Sequence, residues 1–236
     1  MSAVALIEGD TIAEVWEGAV LHVWNFGVLV PKYGKETALI MKVNSPFKEP
    51  RIHPGDTTSL LMLKEYRKEV LEGTLDKTVE EGKVSYTYHE RLFKYGGTLD
   101  QIGALKEKLR RDPYTNRNQA ITWMPEKDPK SEYPPCLLGI WMKAVGKSLI
   151  MHTTWRSRDL FWAASANMLV MTEIQKMVAE DLGLQVGTYI DFSDSAHIYE
   201  KNWPDVTRFI QVAEKRKTLS PAKTSHLVKF SNFDTP

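Results

Sequence analysis

The sequence carries one cysteine, Cys136, in the stretch PPCLLGIWMKAVGKSLIMHTTWRSRD, residues 134–159. The thiolate, not the thiol, is the nucleophile, so Cys136 can do covalent chemistry only where a neighbouring positive charge favours ionisation. Taken alone, an unpaired cysteine commonly serves as a small buried hydrophobe. Here, however, Arg156 and Ser157 stand at the far end of two β-rich runs, 136–145 and 147–155, divided by Gly146. A hairpin folded at that glycine returns Arg156 towards Cys136, which begins the first strand. Arginine, a serine hydroxyl and backbone N–H groups together also make a cradle for a phosphate. The spacing therefore predicts a supported thiolate beside an anion site. Farther along, His197 and Tyr199 fall two apart in an extended stretch and share one face.

The elements that must position these residues follow from local pattern. In TIAEVWEGAVLHVWNFG, Thr11 and Glu14 form a capping box, an apolar stripe follows, and Gly27 ends the helix. ETALIMKV reads as a strand, and a second helix is expected from about Thr58 to Leu71. Thr98 with Gln101 predicts the cap of a third helix that stops at Pro113, and NQAITWM is the next strand. The plain structural alternative for Tyr88 is a tyrosine at a strand end. From Asp159 to Leu182 the periodicity describes a long buried helix ended by Gly183, with Asp159 as its N-cap, and VGTYIDFSDSAHIY is extended again. A last helix near 204–215 precedes a stretch with little periodicity, expected to be loosely ordered. The expected organisation is a single α/β domain over 1–217 with a C-terminal tail over 218–236.

Composition limits the partners. Thirty-one Lys and Arg against 30 Asp and Glu leave a net charge of +1, so no global field favours nucleic acid or an anionic membrane. One cysteine makes neither an internal disulfide nor a thiolate metal cage, and no metal site is expected. The opening MSAVALIEGDT lacks a basic leader pattern and no apolar run is long enough to span a bilayer, so a cytoplasmic location is expected.

Several motifs, in order and with matching spacings, resemble those of the thymidylate synthases. PPC resembles that family's nucleophile segment, and WRSRDLF its arginine–serine phosphate segment. SANM stands where the family carries the asparagine that reads the pyrimidine, and SAHIYE where a histidine and a tyrosine hold the sugar. TLDQIGALKEKLRRDPYTNR is similar to the helix and arginine loop that crosses to a dimer partner. The spellings YTYHERL and SAHIYE are closest to the short archaeal-type branch. The resemblance implies an α/β (α+β) fold with a large mixed sheet flanked by helices, and a homodimer.

It also implies roles. Cys136 would add to C6 of a pyrimidine nucleoside monophosphate and make C5 a nucleophile towards the methylene of a reduced pterin, either methylene-tetrahydrofolate or a relative such as methylene-tetrahydromethanopterin. Arg156 would support the thiolate and bind phosphate with Ser157, and Arg117 would arrive from the other subunit. Asn167 would read the base, and its paired donor and acceptor match the N3–H and O4 of uracil. His197 and Tyr199 would hold the sugar 3′-hydroxyl, Asp159 would contact the pterin, and Tyr88 would order water and accept the C5 proton. Glu65 or Glu69 is the nearest candidate for a glutamate that organises proton transfer. The expected reaction is dUMP to dTMP. Departures from the family pattern include Leu137, Trp155, Asn116 before Arg117, AASA before Asn167, no tryptophan between Trp24 and Trp123, and the ending NFDTP. They keep open a pyrimidine hydroxymethylase, in which water would attack the methylene, and a noncatalytic nucleotide-binding homologue.

Overall fold

The computed structural model describes residues 4–56, 58, 60–215 and 223–226. One nine-stranded mixed sheet organises them. The first strand, β1 (Ala5–Gly9), leads into α1 (Ile12–Phe26), whose Thr11 and Glu14 form the expected capping box. A short strand β2 (Val28–Val30) turns into the long β3 (Gly34–Val43). Then come α2 (Leu60–Glu72), α3 (Asp76–Glu80), α4 (Tyr88–Phe93) and α5 (Gln101–Arg111). The expected hairpin is present as β5 (Leu137–Val145) and β6 (Ser148–Trp155), next to β4 (Gln119–Ile121). Gly146 turns the hairpin at φ 59°, a conformation that costs glycine nothing and other residues strain. The two-residue β7 (Arg158–Asp159), α6 (Ala164–Asp181), β8 (Gln185–Ile198) and α7 (Trp203–Lys215) follow. A final strand, β9 (Lys223–His226), pairs antiparallel with β1.

The strand order is β4-β5-β6-β8-β3-β1-β9, with β2 on β3 and β7 on β8. Helices α1 and α6 pack on one face and bury it, with Ile7, Leu39, Met41, Met142, Met151 and Tyr189 pointing into the core. The alternate residues Leu6, Ile40, Ile150, Ile190, Phe192 and Trp141 point the other way and are half-buried. A sheet with one face packed and an apolar second face left partly open is a surface that another layer can cover.

Four local expectations are corrected. Asp100, not Thr98, caps α5, because its carboxylate reaches Gly103 N at 2.8 Å. Tyr88 is the first residue of a short helix capped by Thr87, not a strand end. The long helix starts at Ala164, since Arg158 and Asp159 are drawn into pairing with β8 as β7. Asp159 is therefore not its N-cap; it caps a single turn instead, accepting from Trp162 N at 3.1 Å. Finally, 223–226 within the expected loose stretch is a strand of the sheet; 218–222 and 227–236, which include NFDTP, lie outside the described residues.

Candidate active site

A cleft of about 790 Å3 opens at the end of the β5–β6 hairpin and gathers residues from α2, the loop before α4, the hairpin, α6 and β8. Cys136 sits just before β5, and Arg156 N donates to its carbonyl at 3.0 Å, so the hairpin ladder itself fixes the separation of the two residues. The two prolines then have a specific use. Arg156 Nε donates to Pro135 O at 2.9 Å and Nη2 to Pro134 O at 2.8 Å, which aims Nη2 at Cys136 Sγ, 3.7 Å away. Proline fixes its own φ and biases the residue before it towards extended backbone, so these two carbonyls form a stiff platform for a planar guanidinium.

The thiol lies under opposed influences. Burial pushes its pKa up, while the guanidiniums of Arg156 and Arg158 pull it down. Burial outweighs the two guanidiniums and sets the Cys136 pKa above its ordinary value, with two cations placed to stabilise the ionised form.

Ser157 and Asp159 line the cleft, as do Asn167, His197 and Tyr199. The β7–β8 register sets Asp159 directly beside His197. Burial raises the pKa of Asp159 and lowers that of His197, each charge moderating the other. His197 Nε2 is buried with no hydrogen-bond partner among the described residues. Its ring meets the edge of Tyr199 at 4.6 Å. Tyr33, in the β2–β3 turn, closes over both at 5.4 and 6.2 Å. Gly34 makes that turn possible: its φ is +75° and a Cβ there would fall 2.2 Å from Ile198 O.

Asn167 lies in the first turn of α6, and its Nδ2 donates to Tyr66 Oη at 2.6 Å. Tyr88 Oη accepts from Leu137 N at 3.3 Å, next to the cysteine, and burial holds its pKa well above the ordinary value. Of the two candidate glutamates, Glu69 lines the cleft, whereas Glu65 is exposed and paired with Lys68 at 3.0 Å. Burial first and then Asp76 raise the pKa of Glu69.

The structure does not bring Arg117 to this cleft. It is exposed on the loop after α5; its backbone accepts from Lys108 Nζ at 2.7 Å, and its guanidinium makes no ion pair among the described residues. Arg156 does not line the cavity wall, yet its Nη1 carries no hydrogen bond among the described residues.

Several cleft residues escaped the sequence reading. Arg158 is 2 % exposed, pairs with Asp191 at 2.8 Å and lies 3.8 Å over the Trp155 ring. Trp155 takes the edge of Tyr88 at 5.9 Å, so the arginine, the tryptophan and the tyrosine form one packed stack behind Cys136. Tyr86, two residues from Tyr88, also lines the cleft and interacts with the Cys136 backbone. The repeated tyrosine in YTY was the available signal for it. Tyr66 and Tyr133 complete an aromatic wall. No group of three His, Cys, Asp or Glu able to hold a metal occurs among the described residues, and none of their helices is long and apolar enough to cross a membrane.

Comparison with known proteins gives the family. A family model described as Thymidylate synthase matches residues 5–234. A protein of Methanococcoides burtonii named "Putative thymidylate synthase" is 30% identical over 210 residues, covering 87% of this chain and 94% of its own. Proteins with the same name from Methanosarcina mazei and Methanopyrus kandleri are 30% and 31% identical, covering 87% and 85% of this chain and 94% and 96% of theirs. Because the family match runs from the first strand of the sheet to beyond the last, the chain belongs to the thymidylate synthase family.

Proposed function

We propose that the protein transfers a one-carbon unit from a methylene-pterin to C5 of dUMP and forms dTMP. The observation that carries this reading is the Cys136 thiol held 3.7 Å from the Arg156 guanidinium on a cleft shared with Asn167. In this reading the thiol loses its proton as the nucleotide binds, and the thiolate adds to C6, so that C5 becomes nucleophilic. Arg156 and Arg158 stabilise the anion before attack and again when the C6–S bond breaks. Asn167 receives N3–H on Oδ1 and donates to O4, where negative charge grows after the addition. His197, with its free Nε2, and Tyr199 hold the sugar hydroxyl. Ser157 and Arg156 Nη1 take the phosphate.

The C5 proton must leave after the one-carbon unit is attached. Tyr88 remains a phenol because its pKa is raised, so its part is to order water and relay that proton; Glu69 is a carboxylate in the same wall able to receive it. The bound pterin would supply the carbon and, for methylation, a hydride. The cleft suits such a second ligand: its volume lies in the upper part of the usual small-molecule range of about 300–1,000 Å3, and Tyr86, Tyr133 and Asp159 offer ring faces and an acceptor for ring N–H groups.

The assembly in this reading is a twofold homodimer. The half-buried apolar residues on the second sheet face supply its contact, and Arg117 would complete the phosphate site of the partner.

The test is product mass. Purified protein is incubated with methylene-tetrahydrofolate or methylene-tetrahydromethanopterin and, separately, dUMP, UMP, dCMP and CMP, with Cys136→Ser as control. A methylated dUMP absent from the variant is expected. A hydroxymethyl product would instead make the protein a hydroxymethylase, and identical inactivity of both proteins would leave a nucleotide-binding homologue.

A further inference from the structure

Uracil and cytosine present opposite patterns to an asparagine. Uracil offers the N3–H donor and the O4 acceptor, cytosine the N3 acceptor and the N4–H donor. A side-chain amide that rotates by half a turn about its last bond exchanges its oxygen and nitrogen and can read either ring. Selection for uracil therefore needs something that holds the amide.

The partner of the Asn167 amide is Tyr66, 101 positions away on α2, at 2.6 Å from Nδ2. A phenol hydroxyl can donate or accept, so contact alone would not fix the rotation. Its surroundings decide. Glu69 follows Tyr66 by three residues on α2, places both on one helix face, and lines the same cleft. After burial, Glu69 raises and Arg158 lowers the pKa of Tyr66. As the acceptor from Asn167, the hydroxyl has its own proton left to direct elsewhere, and Glu69 on the same helix face and in the same wall offers it an acceptor. Tyr66 does not escape by ionising, since burial and Glu69 push its pKa well above the ordinary value.

We infer that Tyr66, polarised by Glu69, locks the Asn167 amide with Oδ1 and the second Nδ2 hydrogen facing the base, and so is the positioning residue that makes the cleft select uracil over cytosine. With one hydrogen of Nδ2 engaged by Tyr66, the hydrogen beside Oδ1 is left for O4 and Oδ1 for N3–H. Rotating the amide would set Oδ1 against the phenol oxygen and require the hydroxyl to turn its proton away from Glu69.

This inference rests on the reading of the cleft as a uridine nucleotide site, and a binding experiment separates the two. Dissociation constants of dUMP and dCMP are measured by calorimetry without pterin for the wild type, Tyr66→Phe and Glu69→Gln. Phenylalanine keeps the packing of Tyr66 against the core, and glutamine keeps the shape of Glu69. The wild type is expected to prefer dUMP, and Tyr66→Phe to narrow the dUMP-to-dCMP preference by about tenfold, the worth of one oriented hydrogen bond. Glu69→Gln is expected to narrow it in the same direction. A merely structural effect would weaken both nucleotides alike, and an unchanged preference in either variant would overturn the inference. Failure of the wild type to bind either nucleotide would instead overturn the functional reading on which it rests.

Discussion

Two stretches of this chain carry arginines towards the proposed phosphate chemistry, and they are built in opposite ways. In residues 155–159 every guanidinium is engaged by its own chain: Arg156 by two prolyl carbonyls and the thiol, Arg158 by Asp191 and the Trp155 ring. In residues 113–118 Arg117 is exposed and, among the described residues, hydrogen-bonds through its backbone N and O alone, while Asn116 beside it accepts from Lys143 Nζ at 2.7 Å. The first stretch is preorganised by the fold of one subunit. The second has a loop geometry in which the Arg117 guanidinium makes no ion pair among the described residues. On the proposed reading, the cost of ordering is met during folding for the hairpin and would be met on assembly for the loop.

The largest effect should come from breaking the preorganised side at its nucleophile. Cys136→Ser is expected to lower kcat on the order of a thousandfold or more with little change in dUMP affinity, since a hydroxyl is a far poorer nucleophile at neutral pH. Steady-state rates and nucleotide binding on the same samples check this. An effect mainly on affinity would mean that Cys136 serves only to bind.

Next is the buried pair beneath it. Asp191→Ala leaves Arg158 charged and unpaired at 1% side-chain exposure, and is expected to destabilise the protein by about 3–5 kcal/mol in urea unfolding. Tyr189 and Thr153 also bond that carboxylate, at 2.7 and 3.3 Å, so Asp191→Asn should cost less by keeping part of the network.

On the other side of the contrast, Arg117→Ala should raise the KM for dUMP by about 10- to 100-fold, the range of a charge-assisted hydrogen bond. Subunit mixing sharpens this. Neither Arg117→Ala nor Cys136→Ser has a complete site, but a mixed dimer would combine the Cys136 of one subunit with the Arg117 of the other. Activity should reappear on mixing and rise with the fraction of mixed dimers. No recovery under exchanging conditions would place Arg117 outside the site.

The smallest expected effect is on stability against pH. Burial depresses the pKa of His197 below that of the unfolded chain, so unfolding takes up protons as the pH falls. The stability this contributes is fully present above about pH 6.5 and is lost as the pH drops through the folded value. His152, lowered by the same cause, acts with the same sign. Urea unfolding at several pH values between 7.5 and 5 should show the decline, and His197→Gln should reduce its slope without abolishing it.

How much of this was legible in the sequence differs by the range of the interaction. The Thr11–Glu14 capping box and the Gly146 hairpin are local, and the approach of Arg156 to Cys136 is a consequence of hairpin register. All three could be read directly. Arg158 could not, because a charged residue in RSRD reads as surface until β7 pairs with β8 and places it over Trp155. Tyr66 was also hidden: its partner is on another helix, and the one aromatic of α2 reads as ordinary packing until α6 is set beside it. The same dependence on tertiary packing separates Glu69 from Glu65, which lie one turn apart on the same face of α2, so that helical spacing alone does not say which reaches the cleft. The start of α6 was misplaced because sheet pairing overrode a continuous helical pattern at Arg158 and Asp159.

The central claim is that Cys136 becomes covalently bonded to C6 of a uridine nucleotide, and intact-protein mass tests it most directly. A uracil nucleotide with fluorine at C5, 5-fluoro-dUMP, presented together with methylene-pterin, cannot release the C5 substituent as a proton and should stall with the sulfur bond intact. The account predicts a mass increase equal to nucleotide plus pterin, mapping to the peptide that contains Cys136 and missing from Cys136→Ser. An unmodified wild-type mass under conditions where dUMP is turned over would contradict it.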